Sequence, residues 1–163
     1  MKSLLIVYHS MTGAAEQLAH AAAAGARDEP DVETKLLRAA STGVDDVLEA
    51  HGYLFATPEN LATMAGLMKD FFDRVYYPVL DRINGRPYAA IIAAGTDGTG
   101  AARQLQRIAT GLRLREVAAP LVLRNGAQTP EAILALKTVP TADLALARDL
   151  GAALAAGLSG GIF

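Results

Sequence analysis

The sequence predicts a three-layer, doubly wound α/β fold on a five-stranded parallel sheet of order 2-1-3-4-5. Three observations predict it. Five strand-length runs, Lys2 to Tyr8, Val32 to Leu37, Gly52 to Ala56, Tyr88 to Ala94 and Val117 to Leu123, alternate with helix-length segments. The first, third and fourth runs are apolar, as central strands covered on both faces must be. The second partly alternates polar and apolar residues, and the fifth contains Pro120, which a sheet tolerates mainly at an edge. Right-handed crossovers then give the order above, with its switch point beside the carboxyl ends of strands one and three.

The elements follow in order. The first helix is expected from Gly13 or Ala14 to Ala24, with Gly25 in the left-handed C-terminal position before Asp28-Glu29-Pro30. A short helix over Val44 to Ala50 comes next. A longer one from about Met64 to Tyr76 buries Leu67, Met68, Phe71 and Val75, and Pro78 closes it. Lys69 with Asp73, and Asp70 with Arg74, stand at i, i+4 on its solvated face. The fourth helix, Ala101 to about Leu112, buries Leu105, Ile108 and Leu112. Between Arg124 and Pro140 the pattern is weak, with one or two helical turns over Glu131 to Lys137. The last helix covers about Ala142 to Ala156, capped by Thr141, with Leu144, Ala147, Leu150 and Leu154 as its buried stripe. No repeat, linker or composition break divides residues 1–163, which read as a single domain.

Composition narrows the function. Of 163 residues, 52% are hydrophobic and 20% charged, the balance of a well-packed globular chain. A net charge of -2 provides no field for nucleic acid. No apolar run is long enough to insert in a membrane, and the N-terminus enters a strand rather than a signal sequence, so the expected location is cytoplasmic. With no cysteine and three scattered histidines, no metal site is expected, and redox chemistry would need a bound cofactor.

Three loops meet at the predicted switch point. The first, Ser10-Met11-Thr12-Gly13-Ala14-Ala15, is a turn of small and hydroxylated residues between a strand and a helix, where backbone N–H groups and two hydroxyls converge on an anion. The second, Thr57-Pro58-Glu59-Asn60, leaves a buried strand through a stiffening proline. The third, Gly95-Thr96-Asp97-Gly98-Thr99-Gly100, has three glycines that permit close backbone approach to a flat ligand, but matches neither the dinucleotide fingerprint nor a Walker A loop. Each loop alone also reads as a cap or turn. A receiver domain of the same strand order is excluded, because Ala56-Thr57 and Tyr8-His9 stand where its acidic residues would be.

On these residues the chain resembles the flavodoxin-like family of FMN-binding proteins, including the NAD(P)H-dependent FMN and quinone reductases. That family's first loop, Thr/Ser-x-Thr-Gly-x-Thr, wraps the FMN phosphate. The resemblance therefore assigns the phosphate to Ser10, Met11, Thr12, Gly13, Ala14 and Ala15, with Ala15 lacking the family's last hydroxyl. Thr57, Pro58, Glu59 and Asn60, with the helix after them, look like the Thr-Pro-Glu-Tyr-Asn segment that flanks the isoalloxazine, without its Tyr. Gly95, Thr96, Asp97 and Gly98 would meet the pyrimidine side of the ring.

The resemblance implies FMN as cofactor and NADPH or NADH as electron donor. It also implies an oxidoreductase passing electrons to a quinone, flavin or similar small acceptor, as a homodimer or homotetramer. No aromatic residue lies in Thr57 to Met64 or Gly95 to Gly100 to cover the ring, and the charge is only weakly acidic, which favours a reductase over a dedicated carrier. Two alternatives stand beside it: a flavodoxin-type electron carrier without nicotinamide activity, and a non-enzymatic interaction domain. No catalytic acid or base is assigned. His9 has a lesser claim on the phosphate than on a helix-start or surface role.

Overall fold

The computed structural model describes residues 1–163. The strands are β1 (Lys2–Tyr8), β2 (Val32–Arg38), β3 (Gly52–Asn60), β4 (Thr63–Met64), β5 (Pro87–Ala94), β6 (Arg115–Glu116) and β7 (Leu121–Arg124). The helices are α1 (Ala14–Ala26), α2 (Val44–Glu49), α3 (Gly66–Val79), α4 (Thr99–Gly111), α5 (Pro130–Leu134) and α6 (Thr141–Ser159), with a 3-10 turn at Ala39–Ser41. The pairings β1 with β2, β1 with β3 and β3 with β5 are parallel, with Leu4 opposite Thr34 on one side and Gly52 on the other.

The sheet has seven strands in the order β2-β1-β3-β5-β6, not five in the order 2-1-3-4-5. Two local causes account for the correction. The fifth predicted strand is broken: β6 pairs Pro87 and Tyr88, and β7 pairs Ile91 to Ala94, along the edge of β5 that β3 leaves free. Pro120 lies in the break, where the missing amide costs no ladder bond. The other addition is β4, antiparallel to β3, which returns the chain after a tight turn at Leu61 and Ala62, both at positive φ.

Strand alternation builds a core on each face of the sheet. Leu5 and Val7 of β1 pack with Phe55, Phe71, Phe72 and Leu105 on the side of α2, α3 and α4. Leu4, Ile6 and Tyr8 point the other way, to α1 and α6. Those two helices cross closely at glycines. A Cβ on Gly25 would strike the Arg148 carbonyl, and one on Gly151 would strike the Ala22 carbonyl. Gly25 thus serves a helix crossing, and α1 runs past it to Ala26, contrary to the expected C-terminal cap.

Three further expectations are corrected. Pro78 lies inside the last turn of α3 instead of closing the helix before it. Leu67 is 46% exposed, because α3 starts at Gly66 and turns Met68, Phe71, Phe72 and Val75 inward. Thr141 is the first residue of α6, not its cap, and Pro140 precedes it without a side-chain bond. The two i, i+4 ion pairs of α3 form at 2.6 and 2.8 Å. Arg74 also donates to the carbonyls of Thr42 and Ala39, tying α3 to the 3-10 turn.

Candidate functional site

The carboxyl ends of β1, β3 and β5 open into one cavity of about 500 Å³. From the first loop Ser10, Met11, Thr12, Ala14 and Ala15 line it, from the second Pro58, Glu59 and Asn60, and from the third Gly95 and Thr96. These predicted residues therefore share one wall system. Gly13, Thr57, Asp97 and Gly98 stand outside the lining, each with a local task.

Gly13 sits at φ 100 and caps α1, a backbone state that favours glycine. Its N–H donates to Ser10 Oγ at 3.0 Å, which closes the turn. The first intrahelical bond is made by the Gln17 N–H to the Gly13 carbonyl. The amides of Ala14, Ala15 and Glu16 precede it, so they lack helical acceptors and point at the turn. Thr12 is half-buried. The cradle thus offers amides, one hydroxyl free of protein partners and the positive end of a thirteen-residue helix. Ala15 is 1% exposed, with its methyl in the core on the α1 side.

Thr57 is fully buried, and its Oγ1 accepts from the Ala65 N–H at 3.2 Å. It fixes the hairpin instead of facing the cavity. The Glu59 carboxylate accepts from the N–H groups of Gly98 and Ala101 at 2.8 and 2.9 Å, so it caps the N-terminus of α4. Gln104 completes that staple by accepting from the Met64 N–H at 2.8 Å. Gly98 is at φ 95, where a Cβ would lie 2.5 Å from Val122 Cγ1. Its close approach is therefore to β7. Asp97 is exposed and accepts from the amide and hydroxyl of Thr99, which hold its carboxyl below the usual carboxylate range.

His9 also lies outside the lining. Its N–H donates to the Ala56 carbonyl at 3.1 Å, and burial, then the Arg38 charge, pushes its imidazole below the usual value. Arg38 pairs with Glu16 at 2.7 Å and lies over the Tyr8 ring.

A fourth wall escaped the sequence reading. Asn125, Ala127, Ile133 and Lys137 close the outer side of the cavity. The Asn125 N–H donates to the Ala94 carbonyl and that of Gly126 to Gly95, which docks the segment on the third loop. At its other end the Lys137 N–H donates to the Thr12 carbonyl at 2.9 Å. The Gln17 amide donates to the Lys137 carbonyl at 2.8 Å and accepts from the Val139 N–H at 3.1 Å. Its only signal in the sequence was Pro130 and Pro140 bounding a short helical stretch. No aromatic side chain lines the cavity, and its charged lining residues are Glu59 and Lys137. No cluster of His, Cys, Asp and Glu could hold a metal, and no helix is long and apolar enough to cross a membrane.

Comparison with known proteins agrees with this architecture. The chain is 31% identical to a flavodoxin of Aquifex aeolicus over 100 residues, 61% of this chain and 54% of that protein. It is 32% identical over 94 residues to an NAD(P)H dehydrogenase (quinone) of Acidithiobacillus ferrooxidans, covering 45% of this chain and 47% of that one. The chain spans about half the length of these curated relatives. Among solved structures, an archaeal flavodoxin superposes with a TM-score of 0.78 at 16% identity, covering 96% of this chain and 99% of the other. A WrbA-like flavodoxin of Agrobacterium tumefaciens gives 0.76 at 18%, covering 98% and 99%. At such identities the superpositions speak for the fold, which is flavodoxin-like. The family model for NADPH-dependent FMN reductase matches residues 38–129, more than half of the chain, and the chain belongs to that family.

Proposed function

We propose that the cavity binds FMN and that the protein is an oxidoreductase. In this reading it takes reducing equivalents from NADPH or NADH and passes them to a quinone, flavin or similar small acceptor. The observation that carries the reading is the convergence of an anion cradle, Ser10 to Ala15, with Pro58 to Asn60 and Gly95-Thr96 around one cavity. The donor set suits the cofactor. Amides at the start of α1 and the Thr12 hydroxyl match a phosphate, and the largely apolar floor at Ala93 and Ala94 matches a flat ring.

Bound FMN supplies hydride acceptance and electron release, and the protein's part is to bind, orient and exclude competing reactions. Thr12 and the α1 amides hold the phosphate. Pro58, Asn60, Gly95 and Thr96 border the ring. Glu59 keeps the second and third loops together by capping α4. Gly13, Thr57, Asp97 and Gly98, which lie outside the lining, then act by shaping these loops.

The absence of aromatic lining favours a reductase over a carrier, because a ring face free of protein stacking is accessible to nicotinamide or quinone. The same reading expects small-molecule partners, a cytoplasmic setting and a homodimer or homotetramer. One experiment tests its core. The protein saturated with FMN is mixed anaerobically with NADPH, then NADH, while the visible flavin absorbance is followed. Bleaching by either supports the reductase. A loaded flavin that neither reduces leaves the carrier, and failure to take up FMN rejects both.

A further inference from the structure

We propose that Lys137, held on the strap that closes the cavity, is the cationic partner of the bound phosphate group and makes the site discriminate FMN from riboflavin. The inference rests on the FMN reading above and adds to it a residue outside the matched family region, 38–129. The family-like loop contains no basic residue, so the sequence places no charge opposite a phosphate. The fold brings one there from more than a hundred residues away.

Two observations carry the assignment. Lys137 is the one cationic side chain lining the cavity, and the other charged residue there, Glu59, is already engaged by two amides of the α4 N-terminus. Its backbone is fixed against the cradle itself, through its N–H to the Thr12 carbonyl and its carbonyl to the Gln17 amide. A four-carbon stem anchored at the cradle gives the ammonium the freedom to reach an anion bound there.

The ammonium is held at present by the carbonyls of Ala132 and Ile133 at 2.8 and 2.9 Å and by that of Ala135, at the end of α5. These acceptors are neutral and exposed, so water can replace the ammonium there. A phosphate dianion is the stronger partner, since it adds the attraction of opposite full charges to the charge-assisted hydrogen bonds that the neutral carbonyls already accept. Lys137 therefore has a resting place and a binding place. Its move would couple phosphate occupancy to the end of α5.

The test compares two ligands that differ only in the phosphate. FMN and riboflavin are titrated separately into the wild-type protein, Lys137→Met and Lys137→Arg, at low and moderate salt, with flavin fluorescence as readout. In Lys137→Met, FMN affinity is expected to fall roughly tenfold or more and to lose part of its salt dependence, while riboflavin affinity is unchanged. Lys137→Arg keeps the charge and is expected to keep the preference for FMN. If Lys137 only caps α5, Lys137→Met weakens both flavins equally or neither, and either result overturns the proposal. A preference for FMN lost equally in Lys137→Arg also overturns it, because charge is then not the cause. A wild-type protein that takes up neither flavin overturns the FMN reading itself and this assignment with it.

Discussion

At the scale of single residues, Thr12 and His51 illustrate how a polar atom's partners determine its role. The Thr12 hydroxyl has no protein partner although the residue lines the cavity, whereas Ser10 Oγ already closes the turn by accepting from Gly13. Thr12→Val should therefore weaken FMN binding roughly ten- to a hundredfold, the net worth of one hydrogen bond at a charged acceptor, with little change in melting temperature. Equal dissociation constants by fluorescence titration would show that the loop is only a helix start. His51, far from the cavity, works by the opposite logic. Its Nδ1 accepts from the Ser3 N–H at 3.1 Å, a bond that requires this nitrogen to be unprotonated. Burial first, then the charges of Lys2 and Arg86, pushes its imidazole below the ordinary 6.5. As pH falls through 6.5 the unfolded chain binds the proton before the native one does, so stability declines from there down to the lower native value. His9 is shifted the same way and adds to that decline. Calorimetry between pH 7.5 and 5 should show the melting temperature falling on the acid side, and His51→Gln should flatten the slope without abolishing it.

At the scale of elements, legibility in the sequence followed the range of the contacts. β1 was readable to the residue because its apolar run and the turn after it are local signals. β3 was cut short at Ala56, since Thr57-Pro58-Glu59-Asn60 reads as a loop by composition; the strand continues because Glu59 and Asn60 pair with the returning β4. Gly25 looked like a stop signal, and only the crossing of α1 with α6 reveals that it is a packing position. Its counterpart Gly151 gives the sharper test, because a methyl there meets backbone, which cannot rotate away. Gly151→Ala should gain helix propensity of up to about 1 kcal/mol yet lose more through helix separation, for a net loss of about 1–3 kcal/mol. Thermal or urea denaturation measures it, and a stabilised variant would show that the two helices are not locked at this point. The cap on α4 yields a second prediction at this scale. Glu59→Ala leaves the amides of Gly98 and Ala101 without their carboxylate and should cost about 1–2 kcal/mol of stability, whereas Glu59→Gln should recover part of it.

At the scale of the whole molecule, the sheet and the strap divide the work. Three walls of the cavity grow from β1, β3 and β5, whose side chains are buried almost throughout. The fourth wall, Asn125 to Thr138, contains no buried residue and was the part of the site that the sequence did not disclose. Its anchors are long-range: Gln17 to the Lys137 carbonyl, Lys137 to Thr12, and Gly126 to Gly95. Local patterning cannot report bonds between residues 120 positions apart. The same asymmetry predicts behaviour. A segment with exposed side chains and few backbone bonds opens at low free energy, while the central strands open only with global unfolding. A ligand that contacts both must stabilise the open-prone part more, because binding favours the closed state by an amount that grows with ligand concentration over its dissociation constant. Hydrogen exchange read by mass spectrometry should therefore show rapid exchange over Asn125 to Val139 without FMN and clear slowing when FMN is saturating. Peptides from β1, β3 and β5 should be protected in both states. If the strap exchanges equally fast with FMN bound, it is not a wall of the occupied site, and the cofactor is held by the three sheet loops alone.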